Sequence, residues 1–217
     1  MNIDAATVKV LRDRTGAGFM DCKRALVESN GDLDAATDYL QIKKLASADK
    51  KGLRVAAEGL IVSYIHAGGR IGVILEVNSE TDFVARNEDF QEFTRDIAMH
   101  IAAANPLVVH SNELDPAIVA KQEEIFKAQA IEEGKPEHIA ANMVAGRIKK
   151  WKAESCLLDQ NFVKDTERTV AQVQTDMTAK IGEKISIRRF VRFELGDGIE
   201  KVHSDFAAEV AQQAGLA

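Results

Sequence analysis

Apolar residues in the first fifty positions recur every three or four residues, and glycine interrupts the pattern twice. Val8 and Leu11 fall on one face of a helix that Asp4 can cap and that stops at Thr15-Gly16-Ala17-Gly18. Cys22, Ala25 and Leu26 repeat the spacing up to Asn30-Gly31, a favoured helix stop. Asp32 caps a third helix with Leu33, Ala36 and Leu40 on one stripe. The pattern predicts a small three-helix module with a thin core over residues 1–54. Its last stretch carries Lys43, Lys44, Lys50, Lys51 and Arg54, which reads as a solvated linker or helix face.

From Glu58 the period drops to two. Leu60, Val62, Tyr64 and His66 alternate with Ile61, Ser63 and Ile65, Gly68-Gly69 supplies a turn, and Ile71 to Val77 follows as an apolar run. This is the signature of a β-hairpin whose second strand is covered on at least one face. Phe90, Phe93, Ile97 and Ile101 then return to helical spacing until Asn105-Pro106. Leu107 to His110 reads as a short edge strand. Residues 113–155 read as a helical hairpin broken at Gly134-Lys135-Pro136, with Ile125, Phe126, Ile139, Met143 and Ile148 among its acids. Thr169 to Ile181 is a further helix, and Ile185, Ile187, Arg189, Val191 and Phe193 alternate along a last strand. Strands and helices without a βαβ rhythm predict an α+β class: an antiparallel-sheet core with flanking helices over residues 55–217.

Between the second strand and the long helix lie Thr81-Asp82-Phe83-Val84-Ala85-Arg86-Asn87. A bulky ring therefore sits at a strand-to-helix corner, beside an acid and close to a base. Two readings are open. Phe83 is the first core residue of the following helix, since Phe is so often buried, or it projects from a rigid corner as a recognition residue.

Composition narrows the class. Of 217 residues, 46% are hydrophobic and 29% charged, which is ordinary for a globular chain and leaves room for a proper core. A net charge of −6 argues against non-specific nucleic-acid binding, which needs a basic surface, although a local basic patch is compatible with it. Two distant cysteines, Cys22 and Cys156, fit a reducing cytosol. Neither a signal peptide nor an apolar run of membrane-spanning length is present, so a cytoplasmic location is expected.

No catalytic constellation emerges. Gly16-Ala17-Gly18 follows a helix and lacks a third glycine, so it is a turn and not a dinucleotide fingerprint. No phosphate-binding loop with Gly-Lys-Ser/Thr occurs. His66, His100, His110, His138 and His203 lack metal-ligand spacing and read as surface or packing residues. Glu76, Glu80 and Asp82 lie close enough to share acid–base work but read more simply as solvated rim charges. Cys22 reads as a core thiol and Trp151 as a packing residue.

Several specific motifs, in order along nearly the whole chain, carry a resemblance. Val8-Lys9-Val10-Leu11-Arg12, Thr15 to Lys23 and Gly31-Asp32 are similar to the N-terminal module of bacterial translation elongation factor Ts, a compact fold of the ubiquitin-associated (UBA-like) type. Arg54 to Gly59 resembles the entry to that family's core. Glu76-Val77-Asn78-Ser79-Glu80-Thr81-Asp82-Phe83-Val84-Ala85-Arg86-Asn87 resembles its signature, and Phe162 to Asp165, Ile181 to Ile185 and Arg188 to Phe193 resemble its C-terminal part. Departures are Ser79 where many relatives have Cys, Asn161 in place of a common Pro, and Val191 where some short members carry a Cys. Only one core unit is present, which places the chain with the short form of the family.

The resemblance implies an exchange factor for the GTPase elongation factor Tu, not an enzyme, with no cofactor of its own. Such a factor binds the GDP-bound partner, favours its nucleotide-free state, and by linkage weakens GDP by the same factor. Thr81, Asp82, Phe83 and Val84 are implied to dislodge Mg²⁺ from the partner, with Phe83 as an apolar wedge. Lys9, Met20, Asp21, Lys23 and Arg86 are implied partner contacts, although Lys9 and Lys23 also read as solvated and Asp21 as a cap. A single core unit implies a homodimer and a two-plus-two complex, without membrane or direct nucleic-acid binding. A competing class is a non-exchange dimeric adaptor with a UBA-like peptide-binding module. Another is an enzyme built on Glu76, Glu80 and Asp82, which requires a deep polar cleft around them. Exposure of Phe83 separates these.

Overall fold

The structure is a computed structural model that describes residues 3–134 and 136–199, with 44–52, 137 and 138 described by backbone alone. Three helices open the chain: α1 (Ala5–Thr15), α2 (Phe19–Glu28) and α3 (Leu33–Gly52). α1 stops where Gly16 turns left-handed at φ 67° and returns its N–H to the Arg12 carbonyl. Asp32 accepts from the Asp34 and Ala35 N–H groups and caps α3. Asp4 occupies the corresponding position before α1, but its side chain makes no capping bond. The module's core is Val8, Leu11, Cys22, Ala25, Leu26, Ala36 and Leu40, the residues the periodicity selects. The third helix is longer than its apolar stripe. It continues through the basic stretch to Gly52, so the connection to the next strand shrinks to residues 53–57. The side chains of Lys44, Lys50, Lys51 and His138, and the whole of Lys135 and His203, lie outside the described residues.

Strands β1 (Glu58–Ile65), β2 (Ile71–Ser79) and β5 (Ser186–Glu194) form one antiparallel sheet in the order β1-β2-β5. Its inner face sets Leu60, Val62 and Tyr64 against Val77, Leu75 and Val73, with Ile187, Phe190 and Arg192 on the far strand. After the one-turn α4 (Asp82–Ala85), helix α5 (Glu88–Ala104) lays Phe90, Phe93, Ile97 and Ile101 on this face to build the main core. At Gly59 the backbone sits at φ 129°, and a Cβ there would collide with the Val77 carbonyl oxygen, so only glycine lets β1 begin this close to the end of β2.

The last strand departs from simple alternation. Glu76 pairs with Arg189 and Val77 with Ile187, so Arg188 is an extra residue and the pleat changes face there. Ile185 and Ile187 point inward, but Arg189, Val191 and Phe193 point outward. The inner side continues instead through Phe190 and Arg192, whose guanidinium donates to the Ala102 carbonyl at the end of α5.

Helices α6 (Pro116–Glu132) and α7 (Glu137–Ser155) form the expected helical hairpin, the first capped by Asp115 with Pro116 at its first position. Leu107 to His110 is not an edge strand. Glu113 captures the N–H groups of Val109 and His110 and winds the chain into a 3₁₀ turn, leaving one isolated bridge between Val108 and Cys156. A two-stranded ribbon, β3 (Asn161–Phe162) with β4 (Asp165–Thr169), precedes α8 (Val170–Ile181). It is too short to give a periodic signal in the sequence. Buried His100 ties it to α5. The ring takes the Val163 N–H on Nδ1 and faces Gln160 Oε1 from Nε2 at 2.9 Å, an arrangement that requires the neutral ring. Burial holds its pKa below the ordinary histidine value.

Candidate functional site

The corner after β2 is a short turn held from both ends. Ser79 Oγ donates to the Thr81 carbonyl at 2.9 Å, and Thr81, in extended backbone geometry, opens α4. Val84 is the one buried side chain of that helix and anchors it to the core. Asn87 then caps α5 by accepting from the N–H groups of Asp89 and Phe90, and Gln91 donates back to the Ala85 carbonyl. With the turn fixed by Val84 below, by the Ser79 bond at its entry and by the Asn87 cap at its exit, its outward direction belongs to Phe83. The ring is 74% exposed. Phe90, seven residues on, is the fully buried aromatic that begins the α5 stripe. Periodicity alone cannot assign these roles, because both are Phe near one helix start.

The four residues of the signature turn differ in what they offer. Asp82 and Phe83 are exposed, Thr81 is half-buried and Val84 is buried. Asp82 lies 3.5 Å from exposed Arg86, one helical turn on. Thr81 donates both its N–H and its hydroxyl to the carboxylate of Glu183, at 2.9 and 2.8 Å. Sequence reasoning did not single out Glu183, which lies a hundred positions away.

The three neighbouring carboxylates do not converge. Glu76 is gripped by Arg188 and Arg189 at 2.7 and 2.6 Å, and those bonds push its pKa down to about 2. Glu80 accepts the Lys184 N–H at 2.6 Å and faces Arg54 at 3.3 Å. Neither is a solvated rim charge. The bulge that admits Arg188 beside Arg189 and the remote turn that brings in Lys184 are tertiary features. Among the described residues, two open hollows, one lined by Leu60, Val62, Gln91 and Thr94 and the other by residues 69–74 with 193–196, include none of the three. Among the described residues, no group of three or more His, Cys, Asp or Glu is placed to hold a metal ion, and no helix is long and apolar enough to cross a membrane.

On the N-terminal module, Lys9, Met20, Asp21 and Lys23 are all exposed. Asp21 pairs with Arg24 at 2.8 Å and caps nothing. Val10, Phe19 and Val27 are further exposed apolar side chains there. The outer sheet face carries a second exposed apolar group, with Ile61 and Ile65 on β1, Ile74 on β2, and Val191 and Phe193 on β5.

Fold and site together define an α+β factor that presents an aromatic side chain on a braced corner and carries a small three-helix module ahead of its sheet. The family model for elongation factor TS matches residues 40–197. An elongation factor Ts of Geobacter sulfurreducens is 57% identical over 216 residues, with both chains covered in full. One of Desulforamulus reducens is 57% identical over 211 residues, 97% of each chain, and one of Alkaliphilus metalliredigens is 56% identical over 213 residues, 98% of this chain and 99% of its own. The chain belongs to the elongation factor Ts family of translation elongation factors.

Proposed function

We propose that this protein is a guanine-nucleotide exchange factor for elongation factor Tu. It binds the GDP-bound partner, displaces Mg²⁺ and promotes release of GDP so that GTP can enter. The observation that carries this reading is the exposed Phe83 ring on a turn whose other contacts are satisfied internally. A large apolar group held out in water at no internal advantage is suited to insertion into a partner. Phe83 serves as the wedge and Asp82, with Arg86, as its polar flank. Thr81 and Val84 act from beneath by fixing the turn. Lys9, Met20, Asp21 and Lys23 grip the same partner from the helical module, which we take to be residues 1–54 against a core of 55–217.

The exposed apolar outer face of the sheet supports a homodimer, so that two chains serve two partners. Rapid mixing of this protein with elongation factor Tu carrying fluorescent GDP tests the proposal: accelerated release is expected. Binding without acceleration would favour a dimeric adaptor whose UBA-like module takes a peptide.

A further inference from the structure

The wedge stands on a helix of four residues, too short to hold its own shape in water. Its direction must come from outside. Val84 supplies one anchor from below and Asn87 fixes the exit. At the entry, Thr81 is held by Glu183, whose two carboxylate oxygens each take one Thr81 donor, the N–H at 2.9 Å and the hydroxyl at 2.8 Å. The bond is returned one residue away on each chain segment. Glu80 accepts the Lys184 N–H at 2.6 Å. Two acidic side chains thus each bind the backbone of the other's segment, across more than a hundred positions.

The turn that does this is itself fixed. Gly182 closes α8 in left-handed geometry at φ 88° with its N–H on the Thr178 carbonyl, and Thr178 Oγ1 accepts the Ile185 N–H at 3.3 Å. Lys184 Nζ reaches the Arg54 carbonyl at 2.8 Å, while the Arg54 guanidinium faces Glu80. Bonds to an ionised acceptor are the stronger kind, and a bidentate pair adds direction as well as strength. Removing the Glu183 carboxylate would release the Thr81 N–H and hydroxyl, leaving the Ser79 bond to the Thr81 carbonyl, without removing any atom of Phe83.

We infer that Glu183 is a positioning residue for exchange: through Thr81 it sets the direction in which Phe83 leaves the corner. The inference rests on the wedge reading of Phe83. A ring that must enter a partner in one orientation loses efficiency steeply when its support loosens, since a misplacement of about 1 Å can cost roughly a hundredfold in rate.

The test measures release of fluorescent GDP from elongation factor Tu over a range of factor concentrations, for the wild type, Glu183→Ala, Glu183→Gln, Phe83→Ala and the Phe83→Ala/Glu183→Ala double variant. Glu183→Ala is expected to lower the maximal rate by about tenfold or more, with the half-saturating concentration moving less than about twofold because the rest of the interface is intact. Glu183→Gln keeps one acceptor oxygen and is expected to fall between. In the Phe83→Ala background, loss of Glu183 should cost less than about twofold, because there is no ring left to aim. A purely structural role would lower the rate by the same factor in both backgrounds, and that result overturns the inference. So does a Glu183→Ala variant with the wild-type maximal rate. If Glu183→Ala does not fold, as judged by circular dichroism, Glu183→Gln carries the same comparison. Wild-type exchange by Phe83→Ala alone overturns the wedge reading, and the inference with it.

Discussion

Phe83 and Phe90 lie seven residues apart, and replacing each by alanine should have opposite consequences. Phe83 is 74% exposed, so only about a quarter of a side chain that can bury ~200 Å² is shielded, roughly 50 Å². At about 25 cal/mol per Å² that contact contributes on the order of 1 kcal/mol, and the better helix propensity of alanine offsets part of it. Phe83→Ala should therefore cost about 1 kcal/mol or less in folding stability. Phe90 is fully buried between the sheet and α5, and its truncation should cost about 3–5 kcal/mol. In exchange the order reverses. If the exposed part of the Phe83 ring is buried against the partner while GDP leaves, the loss should reach the range of a binding hot spot, about 2 kcal/mol or more, which is roughly 30-fold in rate. Urea denaturation of both variants gives the first comparison and stopped-flow release of fluorescent GDP the second. A Phe83→Ala variant destabilised as severely as Phe90→Ala would refute the exposed-corner geometry. A stable Phe83→Ala variant that exchanges at the wild-type rate would refute the wedge.

Two further expectations follow from the sheet. Glu76 has its pKa lowered to about 2 by Arg188 and Arg189, against an ordinary value of 4.5, so its contribution to stability is complete above pH 4.5 and is lost as pH falls toward about 2. Denaturation midpoints of wild type and Glu76→Gln should differ at neutral pH and converge toward pH 2, whereas a constant difference would count against the ion triad. If the outer face is the dimer surface, the wild type should sediment at twice the chain mass at micromolar concentration and Val191→Glu, which puts a charge on that face beside Ile74, at the chain mass. A monomeric wild type would reject that surface.

The elements that the sequence makes legible are those with a sustained apolar period. The N-terminal stripe from Val8 to Leu40 and the α5 stripe from Phe90 to Ile101 are read correctly because local periodicity and burial agree there. Reading fails where a long-range contact overrides the local pattern. The alternation from Ile185 to Phe193 looks continuous but is broken by the Arg188 bulge, where two successive arginines reach Glu76 on the neighbouring strand. Leu107 to His110 has the composition of a strand, yet Glu113 takes the N–H groups that a sheet partner would need. At the corner, the motif draws attention to Thr81, Asp82, Phe83 and Val84, but nothing local tells that Val84 is the anchor and Phe83 the projection. Glu183 is invisible from the motif because its partner is reached only through the fold.

The most direct test of exchange is the rate at which fluorescent GDP leaves elongation factor Tu, in excess unlabelled nucleotide, as this protein is added. A rate that rises with concentration by at least about tenfold and then saturates is expected if GDP leaves faster from the complex with this protein, in which linkage makes it more weakly held. A rate that stays at the spontaneous value, with binding of the two proteins demonstrated in the same buffer, would contradict the assignment of exchange.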